Sequence, residues 1–270
     1  MKNFVSCLIL SLLFSVAVFS AKTEVRPEFK KYFDEYGVAG TFVLYDASGK
    51  KFIRDDPERA KKRFIPASTF KISNSLIGLE TGIIADENYV FKWNGGKRAL
   101  PEWEKDLDLK AAFQASCVPC YQELARTIGA RRMQRFLNKL RYGNRSISGG
   151  IDRFWLTGGL RISPDEQINF LRRLYAENLP VSRRAQRIVK KIMLRETAPG
   201  YKIYGKTGFQ NERLDGAARK ENFGWFVGFL ERDGNVYFFA TNIEGDQPRE
   251  KFIAARIEIT NKILRDLKLL

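Results

Sequence analysis

The sequence contains no histidine, so no imidazole can act as the base for a serine nucleophile, and a lysine or a carboxylate must take that part. Cysteine is scarce, three in 270 residues, too few for a disulfide-dense scaffold. The longest apolar run, Phe4 to Phe19, covers 16 residues, short of the roughly 20 that span a bilayer, so a permanent transmembrane anchor is not expected. Acidic residues are outnumbered, 31 against 47 basic ones, for a formal net charge of +16. The charges are scattered and accompany no nucleic-acid motif, so nucleic acid is not an expected partner and most of the excess reads as solvated lysine and arginine faces. Repeats, low-complexity linkers and an acidic tail are also missing.

What is present begins with a leader. Met1, Lys2 and Asn3 precede the apolar run, and Ser20 and Ala21 supply small residues for a signal peptidase. Residues 1–20 read as a secretory signal, cut after Ser20 with Val18 and Ser20 flanking the cut. Cys7 does not sit in a lipoprotein arrangement, so lipid anchoring is not expected. Removal leaves 250 residues (270 minus 20), 21–270, enough to bury a core as one domain. Of the cysteines only Cys117 and Cys120 remain, a C-x-x-C pair in an oxidising compartment. Nothing around them reads as a strand-to-helix redox unit; a local disulfide and two partly buried thiols both stay open.

Phe29, Tyr32, Phe33 and Tyr36 have helical spacing after Pro27. Gly40 to Tyr45 reads as a strand, Asp46 to Gly49 as a turn and Lys51 to Arg54 as the returning arm. A second hairpin pairs Phe223–Leu230 with Val236–Thr241 around Arg232, Asp233, Gly234 and Asn235. Tyr201–Tyr204 is a further short strand leading into Lys206. Between these groups, from about residue 66 to 195, helical signals dominate. Ser163, Pro164, Asp165 and Glu166 form a capping box ahead of Ile168, Leu171 and Leu174, so Glu166 reads as a cap. A last helix carries Ile253, Ile257, Leu264 and Leu267 as its expected apolar face. The expected fold is mixed α/β, with a central antiparallel sheet built from N- and C-terminal strands around a large helical insertion.

Chemistry concentrates in Ser68, Thr69, Phe70 and Lys71. If residues 68–82 are helical, the i, i+3 spacing stacks the hydroxyl and the amine on one face. Alone, S-x-x-K is an ordinary helix start. It is followed in order by Ser116, Cys117, Val118; Tyr142, Gly143, Asn144; Trp155, Leu156; and Lys206, Thr207, Gly208. This series resembles the class D serine β-lactamases, the oxacillinase family, over nearly the whole chain after the leader. Class A β-lactamases and penicillin-binding proteins share the first motif but end the second in asparagine, whereas this sequence has Val118. No E-x-x-L-N segment supplies the class A glutamate, so deacylation needs another base.

Lysine has an ordinary pKa near ~10.4, which leaves about one amine in a few thousand neutral at pH 7. Burial in apolar surroundings makes the neutral form a major species, and a neutral amine is a nucleophile towards carbon dioxide. The resemblance implies that Lys71 is carboxylated by CO2 or bicarbonate, with no other cofactor and no metal, and that the modified side chain is the general base for acylation and deacylation. It further implies that Trp155 donates its indole N–H to that group and that Val118 and Leu156 form an apolar screen controlling entry of water. Ser68 is then the nucleophile, its own N–H and that of Phe209 the oxyanion hole, and Ser116 the relay to the departing lactam nitrogen. Lys206 and Thr207 meet the substrate carboxylate while Gly208 lets the backbone approach. Arg256 is preferred to Arg249 as the arginine pairing with that carboxylate, because a helix face can fix its aim. Tyr142, Gly143 and Asn144 read as structural. The implied substrate is a β-lactam of the penicillin or oxacillin type, handled in the periplasm by a monomer or homodimer; the positive field suits an anionic substrate beside anionic envelope polymers. A peptidoglycan transpeptidase is disfavoured by Val118, and a β-lactam sensor domain by the lack of transmembrane helices.

Overall fold

The computed structural model describes residues 22–212 and 218–270; the expected leader, residues 1–20, lies outside the described residues. Strand β1 (Lys22–Val25), helix α1 (Lys30–Asp34), and strands β2 (Ala39–Asp46) and β3 (Lys51–Arg54) open the chain. Helices α2 (Pro57–Lys61) and α3 (Lys71–Glu80), a two-stranded hairpin of β4 (Val90–Phe91) and β5 (Leu107–Asp108), and helices α4 (Leu109–Gln114), α5 (Val118–Ile128), α6 (Ala130–Leu140), α7 (Pro164–Tyr175) and α8 (Arg183–Ile192) follow. Strands β6 (Leu194–Ala198), β7 (Tyr201–Glu212), β8 (Ala218–Arg232), β9 (Asn235–Gly245) and helix α9 (Arg249–Asp266) close it.

The main sheet runs β1-β3-β2-β9-β8-β7-β6. Every pairing is antiparallel except β1 with β3. Both chain ends therefore build one sheet with the helical segment between them, as the sequence pattern implies. Alternation along the strands sorts side chains onto two faces. Phe42, Leu44, Phe226, Leu230 and Phe239 pack with Phe29, Phe33, Ile259 and Ile263 under α1 and α9. Val43, Tyr45, Val227, Phe229, Phe238 and Ala240 join the larger core beneath the helical segment. Because helices cover both faces, β2 is buried from Thr41 through Tyr45 without a polar stripe.

Several expectations need correction. Ser68 is not in an α-helix: Ala67–Phe70 form a 3-10 turn, and α3 begins only at Lys71. The inward face of α9 is Phe252, Ala255, Ile259, Ile263 and Leu264, while Ile253, Ile257 and Leu267 are half-buried. Its sheet contacts select a stripe offset from the expected one. Strands β7 and β8 are much longer than expected, and residues 141–163 form turns rather than helix. The capping box matches: Ser163 Oγ accepts from the Glu166 N–H, and Glu166 accepts from the Ser163 N–H at 2.9 Å. Cys117 and Cys120, left open by the sequence, are joined by a disulfide with Cα atoms 5.5 Å apart.

Candidate active site

Ser68 is carried on the 3-10 turn that leads into α3, and the turn is held from three sides. Thr69 Oγ1 donates to Pro66 O at 2.7 Å and accepts from Gln167 Nε2 of α7 at 2.9 Å. Trp225 Nε1 of β8 donates to Ile65 O at 2.8 Å. From the third side comes β7, for which Gly208 is required. A Cβ there would lie 3.0 Å from Pro66 O and 3.2 Å from Trp225 Cδ1, so any side chain would push the strand off the turn.

Beyond Tyr204, β7 has no strand paired on its outer side among the described residues. Gly205 N–H still bonds outward, to Met193 O at 2.8 Å. Alternation along a strand then points the Phe209 N–H to the same free edge, towards the Ser68 turn.

The next layer is two lysines, each on a serine. Lys71 Nζ lies 2.8 Å from Ser68 Oγ and donates to it. The side chain is fully buried, and with no carboxylate among the described residues to offset desolvation its pKa falls from 10.5 to about 7. An aromatic face lies beside it, with the amine 5.3 Å from the Tyr121 ring centre. Lys206 Nζ donates to Ser116 Oγ at 2.9 Å, which brings the second and last motifs together. Lys206 is also buried, and desolvation, helped by Lys71, Arg256 and Arg195, lowers its pKa well below the ordinary value.

Trp155 is fully buried and stacks obliquely on Phe70, ring centres 5.5 Å apart. Its indole Nε1 has no hydrogen-bond partner among the described residues. Val118 and Leu156 line a cleft of about 270 Å³ together with Leu100, Trp103, Phe209 and Arg249. A larger hollow of about 1200 Å³, lined by Tyr45, Arg172 and Phe238, lies elsewhere and contains none of the motif residues.

The two candidate arginines of α9 lie in different surroundings. Arg249 sits at the cleft, its guanidinium 4.9 Å above the Phe209 ring. Arg256 spends its donors on backbone, Nη1 on Gly208 O and Nε on Ile253 O at 2.9 Å. The helix does fix the aim of Arg256, but at the back of β7.

A penicillin-binding protein transpeptidase domain matches residues 40–267. Beta-lactamase OXA-10 of Pseudomonas aeruginosa is 44% identical over 264 residues, covering 98% of this chain and 97% of that protein. The crystal structure of the class D β-lactamase YbXI from Nostoc superposes with a TM-score of 0.84 at 43% identity, over 92% of this chain and all of that one. The chain belongs to the class D β-lactamases. A further member, FUS-1 (OXA-85) from Fusobacterium nucleatum subsp. polymorphum, superposes with a TM-score of 0.85 at 39% identity over 92% of the chain.

Within this class D framework, Tyr142, Gly143 and Asn144 are structural. Gly143 has φ +50, and a Cβ there would lie 2.0 Å from Arg161 O. Asn144 ties its loop to Gly159 O and the Arg161 N–H. Sequence reasoning missed Arg195 and the wall formed by Leu100 and Trp103. Arg195 lies on an unremarkable exposed strand, and its signal is only the fold that brings β6 beside β7. Trp103 could have been suspected as one of two tryptophans, with Trp93, in a polar, Gly- and Pro-bearing loop, the kind of segment that carries ligand contacts. No helix among the described residues is long and apolar enough to cross a membrane.

Proposed function

We propose that this protein hydrolyses β-lactams of the penicillin type through an acyl-enzyme on Ser68, with Lys71 carboxylated as its general base. One observation carries the reading: a fully buried Lys71 with its pKa near 7 stands 2.8 Å from Ser68 Oγ. The surroundings fit the modification. Trp155 offers a buried N–H that lacks an acceptor, and Val118, Leu156 and Phe70 supply apolar neighbours that favour an uncharged amine open to CO2. When present, the carboxylate supplies an anionic oxygen base beside the Ser68 hydroxyl.

The remaining groups divide the work. Ser68 Oγ attacks the lactam carbonyl, and the Ser68 and Phe209 N–H groups face the oxygen on which charge develops; each such donor contributes about 3–4 kcal/mol. As the C–N bond breaks, the Ser116 hydroxyl hands a proton to the nitrogen and is resupplied from Lys206 Nζ, 2.9 Å away. Depressed by burial, Lys206 is a better proton donor than an exposed lysine. Thr207, Arg249 and the charge of Lys206 receive the substrate carboxylate, in place of the Arg256 expected from sequence. Val118 and Leu156 regulate the approach of the water that cleaves the ester. The leader over residues 1–20 would carry the enzyme to the periplasm, where such hydrolysis confers β-lactam resistance.

Turnover of a chromogenic penicillin or cephalosporin, with and without added bicarbonate, tests this. Many products per active site, with a rate that rises with bicarbonate and saturates, are expected. A protein that releases a single equivalent and stays acylated would overturn the reading.

A further inference from the structure

The Cys117–Cys120 bridge lies inside the motif that supplies Ser116 and Val118. Both cysteines are buried, and Val118 falls within the small loop the bridge closes. The Ser116 and Cys117 N–H groups bond back to Phe113 O at 3.2 Å and Ala112 O at 2.9 Å, but the start of α5 is weakly capped. Cys117 occupies the cap position of α5, but the cap acceptor is sulfur, 3.3 Å from the Cys120 N–H, and Pro119 has no N–H to offer. Just before it, Ser116 has φ 56, a left-handed conformation that a serine leaves when released. The bridge is also a floor for the cleft wall. Arg98 Nη1 lies 3.9 Å from each sulfur and donates to Trp103 O at 2.7 Å. Trp103 Nε1 in turn donates to Ala115 O at 2.9 Å, clamping the other side of Ser116.

We propose that this disulfide is a positioning element for the hydrolytic reaction: closed, it holds Ser116 Oγ on Lys206 and Val118 at the cleft, and full turnover requires it closed. The inference rests on the functional reading above. Its consequence is an enzyme that reaches full activity only after its thiols are oxidised.

The test compares three forms: the untreated protein, the same protein reduced by a water-soluble trialkylphosphine, and Cys120→Val. The phosphine gives two electrons to the S–S bond and leaves as its oxide, water supplying the oxide oxygen and both thiol protons. Rates are measured at a temperature where circular dichroism shows each form folded. If the native bridge resists the phosphine, the protein is reduced while unfolded and refolded with reductant. The kcat/KM for benzylpenicillin should fall about tenfold or more in the reduced protein and in Cys120→Val, as misplaced reacting groups do. Reoxidation should restore the reduced protein but not the variant. The alkaline limb of the kcat/KM pH profile should also move, because releasing Ser116 Oγ from Lys206 Nζ changes the surroundings of a titrating group that Lys71, Arg256 and Arg195 also face, which loss of a purely structural brace would not do. A reduced protein whose mass confirms two free thiols, yet whose kcat/KM stays within about twofold with the same alkaline limb, overturns the proposal. A bridged protein that fails to hydrolyse any β-lactam refutes the functional reading instead.

Discussion

Replacing Lys71 by methionine, similar in length but unable to titrate, should make the fold more stable and the enzyme inactive. Lys71 is fully buried, and its pKa falls from 10.5 to about 7 through desolvation alone. The difference of 3.5 (10.5 minus 7) corresponds to roughly 5 kcal/mol at about 1.36 kcal/mol per pH unit. Between pH 7 and 10.5 the unfolded chain still holds the proton that the folded protein has released. In that window the unfolded state binds more protons, so stability rises with pH. Below pH 7 the penalty is fully present, and above 10.5 it is gone.

Lys71→Met removes this penalty and gives up the hydrogen bond to Ser68, worth about 1 kcal/mol. At pH 6 the variant should therefore exceed the parent by roughly 3–4 kcal/mol, a gap that closes by about 1.4 kcal/mol per unit as pH rises past 7. Lys206 titrates in both proteins; losing the Lys71 charge relieves it slightly, which acts in the same direction. Urea unfolding followed by tryptophan fluorescence, from pH 6 to 10 in buffers freed of carbon dioxide, measures the gap. Added bicarbonate should stabilise only the parent, because carboxylation needs the folded pocket. Stability curves that run parallel across this range, or a methionine variant weaker than the parent at pH 6, would refute the argument.

Trp155→Phe keeps the packing against Phe70 but removes its buried indole N–H, which has no acceptor among the described residues; it should acylate and then hold the adduct, and intact-protein mass spectrometry that finds it back at its free mass as fast as the parent contradicts this. Arg249→Ala should raise KM for penicillins roughly tenfold or more, the worth of a charged hydrogen bond. Arg256→Ala should chiefly lower kcat by freeing Gly208 O, and the reverse pattern in steady-state kinetics would restore Arg256 as the carboxylate anchor. Gly208→Ala places a Cβ 3.0 Å from Pro66 O and should slow acylation by roughly a hundredfold by displacing the Phe209 N–H, measured as single-turnover burst rate.

The elements that were legible in the sequence are those whose signal is local. The Ser163 capping box, the β2–β3 turn at Asp46 to Gly49 and the hairpin at Asp233 and Gly234 each declare themselves through residues a few positions apart. The pairing of Lys71 with Ser68 could be anticipated because three residues of separation keep both on one side of a helix or a 3-10 turn alike. What stayed hidden depends on contacts between distant segments. The inward stripe of α9 is chosen by where β8 and β9 lie, and nothing within residues 249–266 says whether Phe252 or Ile253 points to the sheet. The preference for Arg256 over Arg249 had no local basis for the same reason: each is two turns from the other, and only the position of β7 decides which one reaches the cleft and which one meets a carbonyl.

Strain in this fold is unevenly placed, and its placement follows the chemistry. Among the described residues, eight that are not glycine have positive φ, including Lys50, Arg141, Asp233 and Lys268 at exposed turns or helix ends, where water and open space tolerate the conformation. Ala67 and Ser116 differ. Ala67 is fully buried and immediately precedes Ser68, while Ser116 bonds Lys206. Each departs from the favoured region by an amount that costs about 1–2 kcal/mol. Buried Lys71 and Lys206, each bonded to a serine, and an indole N–H without an acceptor among the described residues add to it around the same serines. A sequence relaxing these features one by one would gain stability, as Lys71→Met is expected to. Their joint persistence requires that the surrounding contacts over-determine the site: the Gln167–Thr69 and Trp225–Ile65 bonds, the Gly208 approach and the Cys117–Cys120 bridge. The sheet cores on both faces supply the stability that this arrangement draws on, and the deviations are what leave Ser68 and Lys71 reactive rather than merely buried.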